Sequence, residues 1–398
     1  MRALIALALL ALPAAAQIAV RGETVYTMAG IPIKDGVVLV NGGRIERVGP
    51  AASVQVPSNY KLLRARVVTP GLIDAHTVVG LSGYLNQPHD QDQVERSAAM
   101  QPELRAIDAY NPREMLIGYL RGYGVTTIHT GHGPGTLVSG QTMIAKTIGN
   151  NVDEAVMKPA VMVAATLGNQ ARAQGGSPGT RSKMIAMLRG EIIKAQEYVA
   201  KLDKAEKGKE PARDLRLEAF AKVLKGEMPL LVTVNQANDI LTAIRLGQEF
   251  NLKLVLDGVA EAHGVLNEIR ASGYPAIVHP TMARPGGDAE ALSLETAARL
   301  KAAGIPFALQ SGFEGYVPKT RVVLFEAGLA AANGLGAENA LESITIGAAR
   351  VLGIADRVGS LEAGKDADIA LYDGDPLEYT THCIGVILNG KVVSEKVQ

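Results

Sequence analysis

The sequence predicts an α/β protein in which a (β/α)8 barrel of the TIM type is joined to a small β-sandwich formed by both ends of the chain. Three observations favour this fold. Apolar segments alternate with longer helical patterns in the middle of the chain, which is typical of parallel strands joined by helices. Hairpin patterns lie near both ends. The 398 residues are too many for one small core and suit a large domain with a smaller one.

Each end of the chain contains an Asn-Gly turn between two apolar segments. The predicted hairpins cover residues 36–48 and 384–393, and their turns begin at Asn41 and Asn389. Asn-Gly turns favour the positive φ angles that a two-residue hairpin loop needs. We expect these two hairpins to meet in one β-sandwich.

The middle of the chain contains seven clear strand segments. They are residues 72–76, 125–130, 161–166, 231–235, 254–258, 276–279 and 307–311. Residues 143–147 are the candidate for an eighth strand. Because strands that alternate with helices pair in parallel, we expect a closed (β/α)8 barrel rather than an open sheet.

These elements divide the chain into four segments. They are a signal peptide at residues 1–16, the first part of the sandwich at 17–66, the barrel at 67–354 and the second part of the sandwich at 355–398. The first segment has a basic start, a short apolar stretch and an Ala-rich end, which is typical of a secretory signal peptide. The apolar stretch is shorter than the ~20 residues of a membrane helix. We therefore expect an exported protein, periplasmic or secreted, without a membrane span.

Composition excludes some classes of function. Lys plus Arg and Asp plus Glu each number 40, so the net charge is zero and no basic patch favours nucleic-acid binding. Aromatic residues make up 4% and Trp is absent, which argues against aromatic stacking surfaces for bases. Cys383 is the single cysteine, so an internal disulfide cannot form.

Several segments resemble the amidohydrolase superfamily, in its imidazolonepropionase-like and prolidase-like branch. They are residues 68–76 (Val-Thr-Pro-Gly-Leu-Ile-Asp-Ala-His), 124–127, 237–240, 345–353 and 359–369 (Gly-Ser-Leu-Glu-Ala-Gly-Lys-Asp-Ala-Asp-Ile). The resemblance covers nearly all of the chain after the predicted signal peptide. It implies a metal-binding barrel, a β-sandwich from both termini, and hydrolysis of non-peptide or dipeptide C–N bonds.

The resemblance also implies metal ligands at the carboxyl ends of the barrel strands, where such barrels place catalytic groups. The implied set is His-x-His on the first strand, His on the fifth and sixth, and Asp on the eighth. Only His76 of this set is present. The other positions hold Val78, Thr233, Gly258 and Gly312, none of which supplies an imidazole or a carboxylate.

These losses predict impaired metal-dependent catalysis. A bound metal lowers the pKa of water from 15.7 to about 7, which corresponds to roughly 12 kcal/mol of nucleophile activation. A lone His acting as general base supplies roughly 3–5 kcal/mol, so His76 alone does not replace the metal. We expect a non-catalytic protein that partners an intact amidohydrolase paralogue, forms a homo-oligomer, or binds a small molecule.

An alternative hypothesis keeps an active C–N bond hydrolase, with a zinc site rebuilt around His76, His129 and His279. If the strand assignment holds, the residues that share the mouth of the barrel form a candidate pocket. These are His76, His129, His132, Asn235, Asp257, His279 and Glu314. The competing interpretation is that the histidines are hydrogen-bonded remnants of a lost site. The sequence leaves both open.

Overall fold

The computed structural model of the protein describes residues 17–85, 87–173, 175–312 and 321–395. The predicted signal peptide and Glu314 lie outside the described residues.

Strands make up both ends of the chain and alternate with helices between them. In the described residues they are β1 (Ile18–Val25), β2 (Ile33–Asn41), β3 (Arg44–Pro50), β4 (Lys61–Pro70), β5 (Leu72–Thr77), β6 (Val125–Thr130), β7 (Val138–Gln141), β8 (Met143–Lys146), β9 (Val156–Lys158), β10 (Val163–Thr166), β11 (Leu230–Val234), β12 (Leu254–Gly258), β13 (Ala276–Val278), β14 (Phe307–Ala308), β15 (Ile369–Tyr372), β16 (Cys383–Leu388) and β17 (Lys391–Ser394).

The helices lie between the first and last groups of strands. In the described residues they are α1 (Met115–Gly122), α2 (Val152–Ala155), α3 (Arg181–Lys204), α4 (Leu215–Leu224), α5 (Ala237–Glu249), α6 (Leu266–Ser272), α7 (Thr296–Ala302), α8 (Val323–Ala330), α9 (Ala337–Ser343) and α10 (Ile346–Val351). All seven predicted strand segments are confirmed; two have the predicted boundaries, and the other five differ by one to three residues at one or both ends.

Both ends of the chain contribute to one seven-stranded sheet, in the order β17-β16-β15-β4-β1-β2-β3. The two predicted hairpins are confirmed as β2–β3 and β16–β17. Their turns have the positive φ angles that the Asn-Gly pattern requires, including 59° at Gly42 and 50° at Asn389. The prediction that the two hairpins meet is therefore confirmed. Hydrogen bonds join their strands into a single sheet, and the β-sandwich stays a prediction.

The two hairpin turns lie against each other. A Cβ added at Gly390 would be 2.6 Å from the Cα of Gly43, so glycine permits this close approach. Ala367 links the turns, because its N–H donates to Gly43 O and its carbonyl accepts from Gly390 N, both at 3.0 Å. The 359–369 segment thus fixes the two hairpins relative to one another.

A buried lysine connects this sheet to the middle of the chain. Lys146 of β8 lies 2.7 Å from Asp366 and 3.0 Å from Asp368, and it also donates to the side chain of Asn389. Arg44 and Arg357 each lie 2.7 Å from Asp366. Burial alone would raise the pKa of Asp366, but Lys146 and Arg357 hold it below its usual value. The network ties the two parts of the fold together.

The central strands form two further sheets, in the orders β14-β13-β12-β11-β10-β7 and β5-β6-β8-β9. Neighbours from β10 to β14 are parallel, as are β5 and β6. The prediction of residues 143–147 as an eighth parallel strand is wrong, since β8 runs antiparallel to β6. β7 and β8 are divided only by Thr142, so they continue one extended segment. The connection from β6 to that segment is residues 131–137, which is shorter than the dozen or so residues that a parallel crossover needs.

Backbone hydrogen bonds join the free edges of these two sheets. Ala75 N donates to Leu309 O at 3.2 Å, and Gly312 N donates to His76 O at 3.1 Å. On the other side, the edge strand β7 of the six-stranded sheet is separated from β8 of the four-stranded sheet by the single residue Thr142. The carboxyl ends of β5, β11, β12, β13 and β14 consequently lie near one another.

Replacing Lys146 with Met should destabilise the protein by ~3–5 kcal/mol, because Asp366 and Asp368 would keep buried charges without their main partner. Urea unfolding measures this change. The matched control is Lys61→Met. Lys61 lies 2.8 Å from its exposed partner Glu395, and loss of this exposed ion pair should cost under ~1 kcal/mol. Equal effects of the two substitutions would refute the role given to Lys146.

Candidate functional site

A cavity of about 250 Å³ lies at the carboxyl ends of the central strands. Its walls contain many of the positions that the sequence singled out. These are His76, Val78, Thr233, Asn235, Asp257, Gly258, His279 and Gly312. These predicted positions thus share one cavity, whereas His129 and His132 do not line it.

Asp257, at the end of β12, is the centre of this cavity's polar wall. Thr233 Oγ1 donates to Asp257 Oδ2 at 2.6 Å, and Gln310 Nε2 donates to Asp257 Oδ1 at 2.8 Å. His76 Nδ1 lies 3.2 Å from the same Oδ1. Burial would raise the pKa of Asp257, but the charge of His76 and these donors lower it below its usual value. Asp257 is thus a carboxylate held by side chains from three other strand ends.

His76, at the end of β5, faces Asp257 as an ion pair rather than as an aligned hydrogen bond. The 3.2 Å separation is short, but neither ring nitrogen meets hydrogen-bond geometry with any described residue. Burial lowers the pKa of His76, yet the Asp257 carboxylate, helped by Asp74, raises it above its usual value overall. Asp257 thus favours the protonated imidazole more than water does, and Nε2 has no hydrogen-bond partner among the described residues.

Asp74 fixes the strand that carries His76. Its Oδ1 accepts from Ser311 N at 3.0 Å and from His76 N at 3.4 Å. Burial raises the pKa of Asp74 to about 6. The side chain therefore joins β5 to the chain that follows β14 and sets the position of the His76 backbone.

His129 lies behind the cavity wall instead of facing the mouth. Its Nδ1 is 2.6 Å from Ala75 O and its Nε2 is 2.7 Å from Thr142 Oγ1. Burial and the nearby charge of His76 lower the pKa of His129 to about 3. Because a carbonyl only accepts, Nδ1 carries the proton and Nε2 accepts from Thr142. Neither nitrogen is free to bind a metal.

Of the two remaining histidines of the candidate pocket, His279 lines the cavity and His132 does not. The nitrogens of His279 lie 2.9 Å from Pro280 O and 3.2 Å from Thr296 Oγ1. Burial lowers its pKa. His132 is buried beside Gly140, and burial lowers its pKa to about 4. Both are neutral imidazoles held within the protein.

The residues present do not fit the metal site that the resemblance implies. At Gly312 φ is +73°, and an added Cβ would lie 2.2 Å from Pro280 Cγ. At Gly258 φ is +87°, and an added Cβ would lie 2.5 Å from Asn235 Oδ1. Within the described ranges, no group of three or more His, Cys, Asp or Glu side chains could hold a metal ion. A ligand side chain at either position would strain the backbone and meet Pro280 or Asn235.

Sequence reasoning missed Gln310 as a member of the site. It is 4% exposed and lies two residues after β14, where it donates to both Asp257 and Val278 O. The available signal in the sequence was that a polar residue, Gln310, directly follows the apolar residues of a predicted strand. The cavity wall also includes Arg284 and Gln170, from loops that the strand pattern does not locate.

Comparisons with known proteins agree with this fold. A profile of the amidohydrolase family matches residues 248–394. An amidohydrolase from Thermotoga maritima MSB8 has a similar structure, with a TM-score of 0.90 and 27% identity over 95% of this chain and 100% of that one. The imidazolonepropionase of Rhizorhabdus wittichii is 26% identical, over 89% of this chain and 92% of that protein.

A third relative is longer than this chain. Amidohydrolase tasK of Hapsidospora irregularis is 25% identical over 89% of this chain, and the match spans 39% of that protein. Together these similarities show that the chain belongs to the amidohydrolase superfamily, in its imidazolonepropionase-like branch.

Replacing Gly312 with Ala should destabilise the protein by ~2–5 kcal/mol, because a strained φ adds ~1–2 kcal/mol and the clash with Pro280 adds ~1–3 kcal/mol. Gly304→Ala is the matched control, since its φ is +71° and nothing lies within 4 Å of the added Cβ. Urea unfolding should give a smaller loss for the control, ~1–2 kcal/mol. Equal losses would mean that Pro280 does not restrict this position.

The low pKa of His129 predicts a pH-dependent stability. Between pH ~6.5 and ~3 the unfolded chain binds one proton more than the folded chain at this residue, so stability falls as pH falls. From pH 7 to pH 5 the contribution of His129 should drop by about 2 kcal/mol. Urea unfolding of the wild type and of His129→Gln at both pH values measures the difference. The variant should lose that much less stability, whereas identical pH dependence would contradict the assignment.

Proposed function

We propose that this chain is an amidohydrolase-fold protein that is impaired in metal-dependent hydrolysis and acts by binding, either as a small-ligand protein or as a non-catalytic partner of an intact relative. The observation that carries the proposal is the pairing of Asp257 with Thr233, Gln310 and His76. Two hydrogen bonds satisfy both oxygens of the carboxylate, and the charge of His76 lies beside it. The carboxylate is therefore paired without an added cation.

The proposal includes a closed barrel with the domain boundaries stated above. We infer that β7 and β8, one segment interrupted at Thr142, fill the third position of an eight-position ring as its antiparallel member. The hydrogen bonds from Ala75 to Leu309 and from Gly312 to His76 support closure between β5 and β14. Amidohydrolase structures of this type, such as that of Thermotoga maritima, imply the barrel and the β-sandwich.

Metal binding at Asp257 would require several changes at once. The donors Thr233 and Gln310 would have to release the carboxylate, and His76 would have to lose its proton, because metal ligands are deprotonated. The raised pKa of His76 opposes that last step. Since no group of three His, Cys, Asp or Glu side chains in the described residues could hold a metal ion, the gain would not offset these costs.

A bound ligand would meet two unused polar atoms in the cavity. His76 Nε2 and Asn235 Oδ1 have no hydrogen-bond partner among the described residues, and both residues line the cavity. Protonated His76 supplies a donor and Asn235 supplies an acceptor. A small amide, cyclic or in a dipeptide, presents the complementary carbonyl and N–H, which makes this the ligand class to test first.

The alternative of a zinc-dependent C–N hydrolase built on His76, His129 and His279 has less support. Both ring nitrogens of His129 and of His279 lie within hydrogen-bond distance of oxygen atoms. Zinc binding would require each histidine to give up a buried hydrogen bond. The alternative predicts that the purified wild-type protein contains zinc and that the His129→Ala variant does not.

Export to the periplasm or outside the cell is part of the proposal and rests on the signal-peptide pattern of residues 1–16. Across the described part of the chain, no helix has both the length and the apolar character to cross a membrane. A homo-oligomer or a complex with an intact paralogue would form in that compartment. We expect no nucleic-acid partner.

The proposal predicts that purified protein, prepared with added zinc and then desalted, contains well under ~0.1 zinc per chain, because changing even an outer-shell partner of a metal ligand costs roughly 10–100-fold in affinity and four ligand positions are substituted here. It should not turn over cyclic amides or dipeptides. Elemental analysis and a chromatographic turnover assay measure both, with His76→Asn as the matched variant. Stoichiometric zinc together with turnover that His76→Asn abolishes would overturn the proposal.

A further inference from the structure

A second cavity, of about 290 Å³, lies at the opposite end of the strands from the candidate site. Its walls include Pro275 and Pro306, which precede β13 and β14, whereas His279 and Gln310 follow those strands. The volume is close to the lower end of the ~300–1,000 Å³ that is typical of small-molecule sites. This cavity is separate from the mouth and has no part in the function proposed above.

The floor of this second cavity is apolar. It is formed by Pro275, Ile305, Pro306, Phe307 and Val351. Phe307 and Ile305 are 9% and 3% exposed, so their positions are fixed by the surrounding core. A rigid apolar surface of this kind favours a compact apolar group, since burying it releases water from both surfaces.

Two cations at the rim share one carboxylate. Lys301 Nζ of α7 lies 2.9 Å from Glu342 Oε2, and Arg350 Nη1 of α10 lies 3.1 Å from Glu342 Oε1. All three residues line the cavity, which leaves a rim charge of +1. The side chains of Lys301 and Arg350 are 45% and 61% exposed, and that of Glu342 is 32% exposed, so the cations remain accessible to a ligand.

From this geometry we propose that the cavity binds a small monocarboxylate that carries a compact apolar group. The ligand carboxylate would compete with Glu342 for Lys301 and Arg350, and the apolar group would cover the floor. Glu342 already shows that a carboxylate fits between the two cations. An inorganic oxyanion lacks the apolar group, and a cationic ligand would meet the net positive charge of the rim.

The probe for this proposal is benzoate, measured by calorimetry against benzamide and benzylammonium. Benzoate should bind at least about tenfold more tightly than either analogue. Glu342→Gln should tighten benzoate binding about fivefold by removing the competing carboxylate, and Arg350→Gln and Lys301→Gln should each weaken it about fivefold. These side chains are partly exposed, so the variants should keep the wild-type melting temperature within a few degrees.

Arg299→Gln is the matched control. It removes an exposed arginine of the same helix α7, whose partner Glu295 lies 2.8 Å away, and it does not line the cavity. Benzoate affinity should be unchanged in this variant and in His76→Asn, which alters the mouth. Equal affinities for benzoate and benzamide, no effect of Glu342→Gln, or loss of benzoate binding in His76→Asn would each overturn the proposal.

Discussion

The buried carboxylate of Asp257 is the interaction on which the candidate site depends. Its partners come from three other strand ends, since His76 follows β5, Thr233 lies in β11 and Gln310 follows β14. A charge buried this deeply is stable only when paired and hydrogen-bonded. The carboxylate therefore holds the strand ends together and uses the groups that a cation would otherwise need.

The scaffold motifs persist for a different reason. The 359–369 segment places Asp366 and Asp368 against Lys146, and it fixes the two hairpin turns through Ala367. Asp74 anchors β5 to the chain after β14. These contacts need no metal, so the segments that resemble the superfamily stabilise the fold independently of the ligand positions. His76 belongs both to the anchored strand β5 and to the cavity wall, where its side chain pairs with Asp257.

Much of the fold could be predicted from the sequence, because apolar segments and Asn-Gly turns are local signals. The reversal of β7 and β8 could have been found from the short 131–137 connection but was hidden by the expectation of parallel strands. The site was harder to predict. Gln310 and Asp257 are 53 residues apart, so their contact depends on the register of separate strands. The turn of His129 toward Ala75 and Thr142 likewise depends on packing rather than on its place at a strand end.

The central claim is that side chains, rather than a metal, satisfy the buried carboxylate of Asp257. Crystals of the mature protein grown with excess zinc, with diffraction recorded at the zinc absorption edge, test this claim directly. The account predicts no anomalous peak in the cavity and intact contacts from Thr233 and Gln310 to Asp257. A zinc peak within ~2.0–2.2 Å of His76 Nε2 and an Asp257 oxygen, with Thr233 and Gln310 displaced, would contradict it.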